Sequence, residues 1–255
     1  MKKYELETVV RVSERYGSGL LHLVLERADG KDMPEMAPGQ FVEVTVDRAK
    51  VLLNRPISIF NRTDKALELL VSPIGTATKA LCEYVPGDRL RIIGPLGHGF
   101  STRFPAGTRV LLMGGGVGIA PLYYQLRVLL AAGVNAEVVY GNRTAQDAEI
   151  CALFSELAPL HVCTDDGTAG FHGLVTQHPA TEGAFDFIQV CGPKPMMKAC
   201  ARLAAAKGIP AEVSLENQMA CGLGACLCCV EDSKDGNVCV CKNGPVFNTS
   251  LLKWQ

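Results

Sequence analysis

The chain has 255 residues, enough for about two domains by the usual length relation, and 25 basic side chains against 26 acidic ones give it a formal net charge of −1. That balance leaves no broad electrostatic footprint for nucleic acid. The first residues, Met1-Lys2-Lys3-Tyr4-Glu5-Leu6-Glu7, hold no apolar signal core, the longest uncharged run (Val110–Leu126) is broken by four glycines and Pro121, and the cysteine count of eleven is odd, so a cytosolic chain that neither spans a membrane nor builds a disulfide framework is expected.

Residues 1–102 read as antiparallel strands. Val9–Val12, Leu20–Leu25, Phe41–Val46, Leu67–Val71 and Arg89–Ile93 are β-rich runs, several of them alternating, separated by Ala37-Pro38-Gly39 and Val85-Pro86-Gly87-Asp88. Short strands at that spacing predict a barrel. Inside it, Asn54-Arg55-Pro56-Ile57-Ser58-Ile59 pairs a planar guanidinium, suited to phosphate, with a proline that biases the preceding residue to extended backbone. On a straight strand Arg55 and Ser58 face opposite sides, and an Arg before a Pro is also common on ordinary surfaces. Gly75 and Thr76 then open a helical pattern, which fits either a pyrophosphate site or a plain helix cap.

From about residue 103 the pattern changes. Val110–Met113 predicts a buried strand, followed by the loop Gly114-Gly115-Gly116-Val117-Gly118-Ile119-Ala120-Pro121 and an apolar helix running to Gly133. The loop departs from G-x-G-x-x-G, because Ile119 stands where the third glycine belongs, so close strand–helix packing competes with dinucleotide binding as its purpose. Strands at Ala136–Tyr140, Leu160–Thr164, Phe187–Val190 and Ala211–Leu215 alternate with helices at Asp147–Leu157 and Pro195–Ala206, which predicts a parallel α/β sheet. Four glycine-bearing strand ends, at Gly114–Gly116, Gly141–Thr144, Asp165–Gly167 and Cys191-Gly192-Pro193, gather where ligands of such sheets bind.

The tail is the most specific stretch. Six of the eleven cysteines lie between positions 221 and 241, and Cys221, Cys226 and Cys229 have the C-x4-C-x2-C spacing of a plant-type [2Fe–2S] site. Gly222, Gly224 and Ala225 let the loop curl and its amides approach the cluster sulfurs. A four-cysteine zinc site would more often show two separate C-x2-C pairs. Spacing leaves the fourth ligand open, since Cys239 and Cys241 share one side of an extended strand; Cys228, next to Cys229, points away from it.

Taken in order, Arg55-Pro56-Ile57-Ser58, Gly75-Thr76, the Gly114–Pro121 loop and Cys191-Gly192-Pro193 resemble the ferredoxin–NADP reductase superfamily. With the cysteine loop and Cys241-Lys242-Asn243-Gly244-Pro245-Val246-Phe247, the whole chain resembles the electron-transfer subunits of two-subunit, NAD-dependent bacterial dihydroorotate dehydrogenases. The resemblance implies three parts: an FAD-binding β-barrel (1–102), an NAD-binding α/β domain (103–212) and a [2Fe–2S] domain (213–255). It implies FAD on Arg55, Pro56, Ile57, Ser58, Leu69, Leu70, Val71, Gly75 and Thr76, although Ile57 replaces the superfamily's usual Tyr. NAD(H) is implied at Gly114, Gly115, Gly116, Val117, Gly118, Cys191, Gly192 and Pro193, and Cys241 becomes the fourth ligand beside Cys221, Cys226 and Cys229. The implied partner is a separate FMN-bearing catalytic subunit, in a heterotetramer of two plus two. The small subunits of ferredoxin:NADP transhydrogenases and sulfide dehydrogenases are also similar, but they carry Asp where Cys221 stands; a redox-sensing binding module is the non-enzymatic alternative.

Overall fold

The computed structural model describes residues 2–145 and 148–254. Its first part is a closed antiparallel barrel of β1 (Tyr4–Arg15), β2 (Leu21–Arg27), β3 (Phe41–Thr45), β4 (Arg55–Arg62), β5 (Ala66–Val71) and β6 (Arg89–Leu96), in the order β1-β2-β5-β4-β3-β6. Strict alternation builds it. Leu21, Leu23 and Leu25 lie opposite Val71, Leu69 and Leu67, and these side chains meet Val42, Val44, Ile59 and Ile92 in one buried core. The first strand starts at Tyr4 rather than Val9, because Leu6, Thr8 and Val10 point inward between outward Glu5 and Glu7. The helix α1 (Thr76–Leu81) plugs one end with Ala77, Ala80 and Leu81.

The second part alternates β7 (Arg109–Gly115), α2 (Ala120–Ala131), β8 (Asn135–Asn142), α3 (Ala148–Ser155), β9 (Leu160–Thr164), the two-residue β10 (Phe171–His172), β11 (Phe187–Cys191), α4 (Lys194–Lys207) and β12 (Ala211–Ser214). The expected start of the second helix at Asp147 lies outside the described residues. The tail adds a hairpin, β13 (Val230–Ser233) with β14 (Gly236–Cys239), a single helical turn α5 (Val240–Asn243) and β15 (Val246–Asn248). The sheet order is β10-β9-β8-β7-β11-β12-β15. All neighbours are parallel except β15, which runs antiparallel to β12. The chain moves outward from β7 through β9 and then returns to the other side of β7. The switch point between β7 and β11 therefore sets Gly114–Gly116 beside Cys191–Pro193.

The tail is no loose appendage. Phe247, Leu252 and Trp254 are buried with Val213, Leu215 and Met197 of the sheet layer and with Cys229, Val240 and Cys241 of the cysteine loop. Pro245 O accepts from Leu215 N at 2.9 Å, and Gly244 O accepts from His98 N at 2.6 Å, so this strand is held from both the sheet and the barrel. Across the barrel–sheet boundary Phe60 stacks on Tyr123 at 4.7 Å. Arg127 there donates to Asn61 Oδ1 at 2.7 Å. Among the described residues no helix is long and apolar enough to cross a membrane.

Candidate cofactor sites

The cysteine loop is shaped by left-handed backbone at Gly222 (φ +62°), Gly224 (φ +85°) and, without glycine, Leu227 (φ +61°). It leaves Cys226 and Cys228 exposed and buries Cys229, while α5 brings Cys241 in beneath it, buried. Cys241 N donates to Cys229 Sγ at 3.3 Å. Leu223 N donates to Cys221 Sγ at 3.4 Å. Burial pushes the Cys221 thiol up, but hydrogen bonds from the amides of Leu223, Cys226 and Ala225 and from the Cys226 side chain outweigh it and draw its pKa down to about 6. Cys241 is pushed up to about 12, first by burial and then by the Cys229 thiol beside it, against the pull of the Gly224 amide. Cys221 thus sits with Cys226 and Cys229 with Cys241, and the Cys221 charge reaches Cys241.

Among the described residues no three Cys, His, Asp or Glu side chains group around a single ion. Two thiol pairs, one for each iron, suit a two-iron core. Cys239 closes β14 with its amide on Asn243 Oδ1 (3.1 Å), and Cys228 is exposed on the loop, so both lie outside these pairs.

Glu43 was not legible as a site residue. A charged residue in Phe41-Val42-Glu43-Val44 reads as the solvated face of a strand. Here it does face outward, since Val42 and Val44 fill the barrel, but the cysteine loop covers it. Glu43 is 2% exposed. Neither carboxylate oxygen has a hydrogen-bond partner among the described residues. A Cβ at Gly222 would fall 2.6 Å from its Oε1. Burial, and after it the Cys221 charge, raise its pKa to about 7, with Arg55 opposing.

Glu43 lies opposite Pro56, which ties it to the expected flavin strand. In that register Arg55 faces Val44, Ile57 faces Val42 and Ser58 faces Phe41, so Arg55 and Ser58 do lie on opposite sides. Ile57 packs against the barrel core. Arg55 Nη1 donates to the carbonyls of Leu53 (3.2 Å) and Asn54 (3.0 Å), which orients the guanidinium and leaves Nη2 and Nε for an anion. Leu69 and Val71 fill the barrel, and Leu70 packs into the core shared with α2. Only their backbone is left to face a ligand. Gly75 and Thr76 are exposed at the start of α1, where Gly75 N donates to Thr78 Oγ1 at 3.0 Å.

A cavity of about 760 Å³ opens at the carboxyl ends of the parallel strands, lined by Gly115, Gly116, Gly141, Asn142, Arg143, Thr144, Asp165 and Pro193. Gly173–Thr176, Cys163, Pro195, Met196 and Ala199 complete it. Those residues carry no glycine-loop or strand-end pattern that would have marked them in the sequence. Gly116 needs its left-handed backbone (φ +53°). Gly114 and Gly118 serve packing: a Cβ would lie 2.5 Å from Ile119 Cδ1 in the first case and 2.6 Å from Gly192 Cα in the second. The loop's glycines are therefore divided between close packing, at Gly114 and Gly118, and the cavity wall, at Gly115 and Gly116. Val117 is half-buried beside them. Cys191 is buried at the end of β11 with its Sγ 3.9 Å from Glu216 Oε1. Glu216 is exposed as a residue while its carboxyl tucks under Cys191; desolvation there raises both groups, and the Glu216 charge lifts the thiol further. Glu216, just beyond β12, is another titratable residue that the sequence did not single out.

The family model for the iron–sulfur cluster binding domain of dihydroorotate dehydrogenase B matches residues 216–253, and that for the oxidoreductase NAD-binding domain matches residues 112–202. The chain is 40% identical over 218 residues to the dihydroorotate dehydrogenase B (NAD(+)) electron transfer subunit of Geobacillus thermodenitrificans, covering 82% of this chain and 84% of that one. It is 38% identical over 256 residues to the subunit of the same name from a Geobacillus species, covering 97% of each. In structure it matches a chain of the NADH-dependent reduced ferredoxin–NADP oxidoreductase with a TM-score of 0.83 and 28% identity, over 97% of this chain and 90% of that one. A ferredoxin reductase of carbazole 1,9a-dioxygenase shares the fold at a TM-score of 0.69 over 82% of this chain and 67% of its own. With relatives of this identity and coverage, the chain belongs to the family of dihydroorotate dehydrogenase B electron transfer subunits.

Proposed function

We propose that the chain passes electrons between NAD(H), FAD and a [2Fe–2S] cluster, to and from the FMN of a separate catalytic subunit that interconverts dihydroorotate and orotate. The observation that carries this is the meeting of the two thiol pairs with the barrel, where Gly222 of the cysteine loop lies against Glu43, one strand away from Arg55. When bound, FAD exchanges a hydride with NAD(H) and single electrons with the cluster, which converts a two-electron donor into one-electron traffic.

The chain's own residues have definable tasks in this reading. Cys221, Cys226, Cys229 and Cys241 hold the cluster, and the amides of Leu223 and Ala225 stabilise charge on Cys221. Arg55 meets the FAD diphosphate, with Pro56, Ile57, Ser58, the backbone of Leu69–Val71, Gly75 and Thr76 forming the rest of that wall. Gly114–Gly118 and Cys191–Pro193 flank the strand-end cavity that takes the nicotinamide dinucleotide. Three modules divide this work: a barrel to about residue 102, a dinucleotide sheet, and a cluster module that begins after β12. The partner assembly is a heterotetramer of two subunits of each kind, in the cytosol.

The test is co-purification with an FMN-containing protein, followed by an NADH-to-orotate assay. Orotate reduction that needs both subunits is expected; a complex that forms and shows none would sink the proposal. The likeness to the ferredoxin–NADP oxidoreductase chain favours a second reading, a ferredoxin:NADP transhydrogenase subunit. Cys221 in place of Asp counts against it, and reduction of ferredoxin in place of orotate would establish it.

A further inference from the structure

We infer that Glu43 is a positioning residue for the cluster: its carboxylate, buried against Gly222 next to Cys221 in the cysteine loop, makes the [2Fe–2S] site harder to reduce. This rests on the reading of Cys221 as a cluster ligand.

Alternation along β3 aims Glu43 away from the barrel interior, and the register places it beside Pro56. An outward acid should then be wet, yet the cysteine loop folds over it and leaves it 2% exposed. Contact is close: a Cβ on Gly222 would lie 2.6 Å from Oε1 and 2.8 Å from Cγ, so loop backbone rests directly on the carboxyl. Both oxygens are without a donor among the described residues. Arg55 is the cation whose field reaches it, and no ion pair joins the two among the described residues. Most buried polar groups in native proteins are hydrogen-bonded, so an acid left in this state needs a reason. Burying it carries a cost that an apolar side chain of the same length would avoid.

The reason lies in what it faces. Reduction adds one negative charge to a site whose Cys221 already lies within the field of Glu43. In a poorly screened interior that added charge is opposed by a neighbouring carboxylate much more strongly than it would be in water. The sign follows: with Glu43 ionised, reduction is harder and the midpoint potential is lower. The field of Arg55, on the neighbouring strand, partly offsets that of the carboxylate, so the strand proposed to meet the flavin also bears on the potential.

The test is a redox titration of the FAD- and iron-loaded full chain at pH 8.5, following the cluster by EPR and the flavin by absorbance. Glu43→Gln keeps the shape and removes the charge; its cluster should be easier to reduce by about tenfold in equilibrium constant, or about 59 mV for a one-electron couple. Glu43→Asp keeps the charge and should stay within about threefold of wild type. FAD affinity should be unchanged in both. An unmoved potential in Glu43→Gln overturns the proposal, as does a loss of FAD with the potential unmoved, which would make the carboxyl a flavin acceptor instead. Should Glu43→Gln load no iron, Glu43→Met carries the same comparison; iron lost from both makes Glu43 an assembly element and also overturns it. Iron analysis of Cys221→Ser separates the two levels. A complete cluster there with the wild-type EPR spectrum removes the ligand reading itself, whereas a lost or strongly perturbed cluster in Cys221→Ser beside an unmoved Glu43→Gln removes only the tuning role.

Discussion

At the scale of single residues, the fourth thiol illustrates what a sequence withholds. Cys239 and Cys241 are indistinguishable by spacing, and only the resemblance favoured Cys241. In the fold, β14 ends at Cys239 and a helical turn begins, which breaks the two-residue periodicity that made the pair look equivalent. The turn brings Cys241 under Cys229 and leaves Cys239 in the hairpin. Cys241→Ser should therefore lose or strongly perturb the cluster, while Cys239→Ser and Cys228→Ser keep it, as read by iron content and the EPR spectrum. Iron lost from Cys239→Ser instead would reverse the assignment. If Arg55 meets the FAD diphosphate as proposed, Arg55→Ala removes a charge-assisted contact worth about 1.5–3 kcal/mol, and FAD should dissociate more readily on dialysis. Wild-type retention of FAD would remove Arg55 from the site. Glu43 and Glu216 were illegible because what each meets comes from a segment far away in sequence: the cysteine loop covers Glu43 on β3, and the end of β11 brings Cys191 against the carboxyl of Glu216.

At the scale of elements, periodicity found most strands and helices, because alternation and apolar spacing are local properties. It missed the outer half of β1 and the length of β4, where outward charges and polar Asn61 dilute the pattern. Glycine loops were legible as loops, but the division of labour within them was not, since that depends on what faces each Cα. Gly115 looks onto Met196 Sδ and Pro193 at the cavity wall. Gly115→Val should slow FAD reduction by NADH while FAD stays bound; an unchanged rate measured by stopped flow would count against this wall. Gly222 makes the complementary case in the cluster loop. Gly222→Ala places a side chain in left-handed backbone, at roughly 1–2 kcal/mol, and drives its Cβ into Glu43. Lower iron occupancy and a lower melting temperature are expected. Adding Glu43→Ala should restore only part of the loss, because the backbone cost persists; full restoration would show that the contact alone mattered.

At the scale of the whole molecule, the three-part order was legible, but the independence of the third part was not. Cutting the chain after Leu215 looks like a clean removal of the cluster. The fold says otherwise: β15 is the edge strand of the dinucleotide sheet, and Phe247, Leu252 and Trp254 close its core. Burial of three such side chains contributes about 5–9 kcal/mol, comparable with the whole stability of a typical domain at roughly 5–15 kcal/mol. A truncated chain should therefore unfold or aggregate, and its loss of activity would say nothing about electron flow. The informative variant leaves the tail in place. Cys221→Ser with Cys226→Ser removes one thiol pair, both members of it only partly buried or exposed, and spares Cys229 and Cys241, which belong to the shared core. This full-length double variant should fold, bind FAD, reduce ferricyanide with NADH and still co-elute with the FMN subunit on gel filtration. It should contain no intact cluster and should fail to reduce orotate, because hydride transfer needs only the barrel and the sheet whereas the exit toward FMN needs the thiols. Co-elution matters, since it separates a broken conduit from a lost partner. Orotate reduction at the wild-type rate in a complex without iron would mean that electrons leave the flavin by another path.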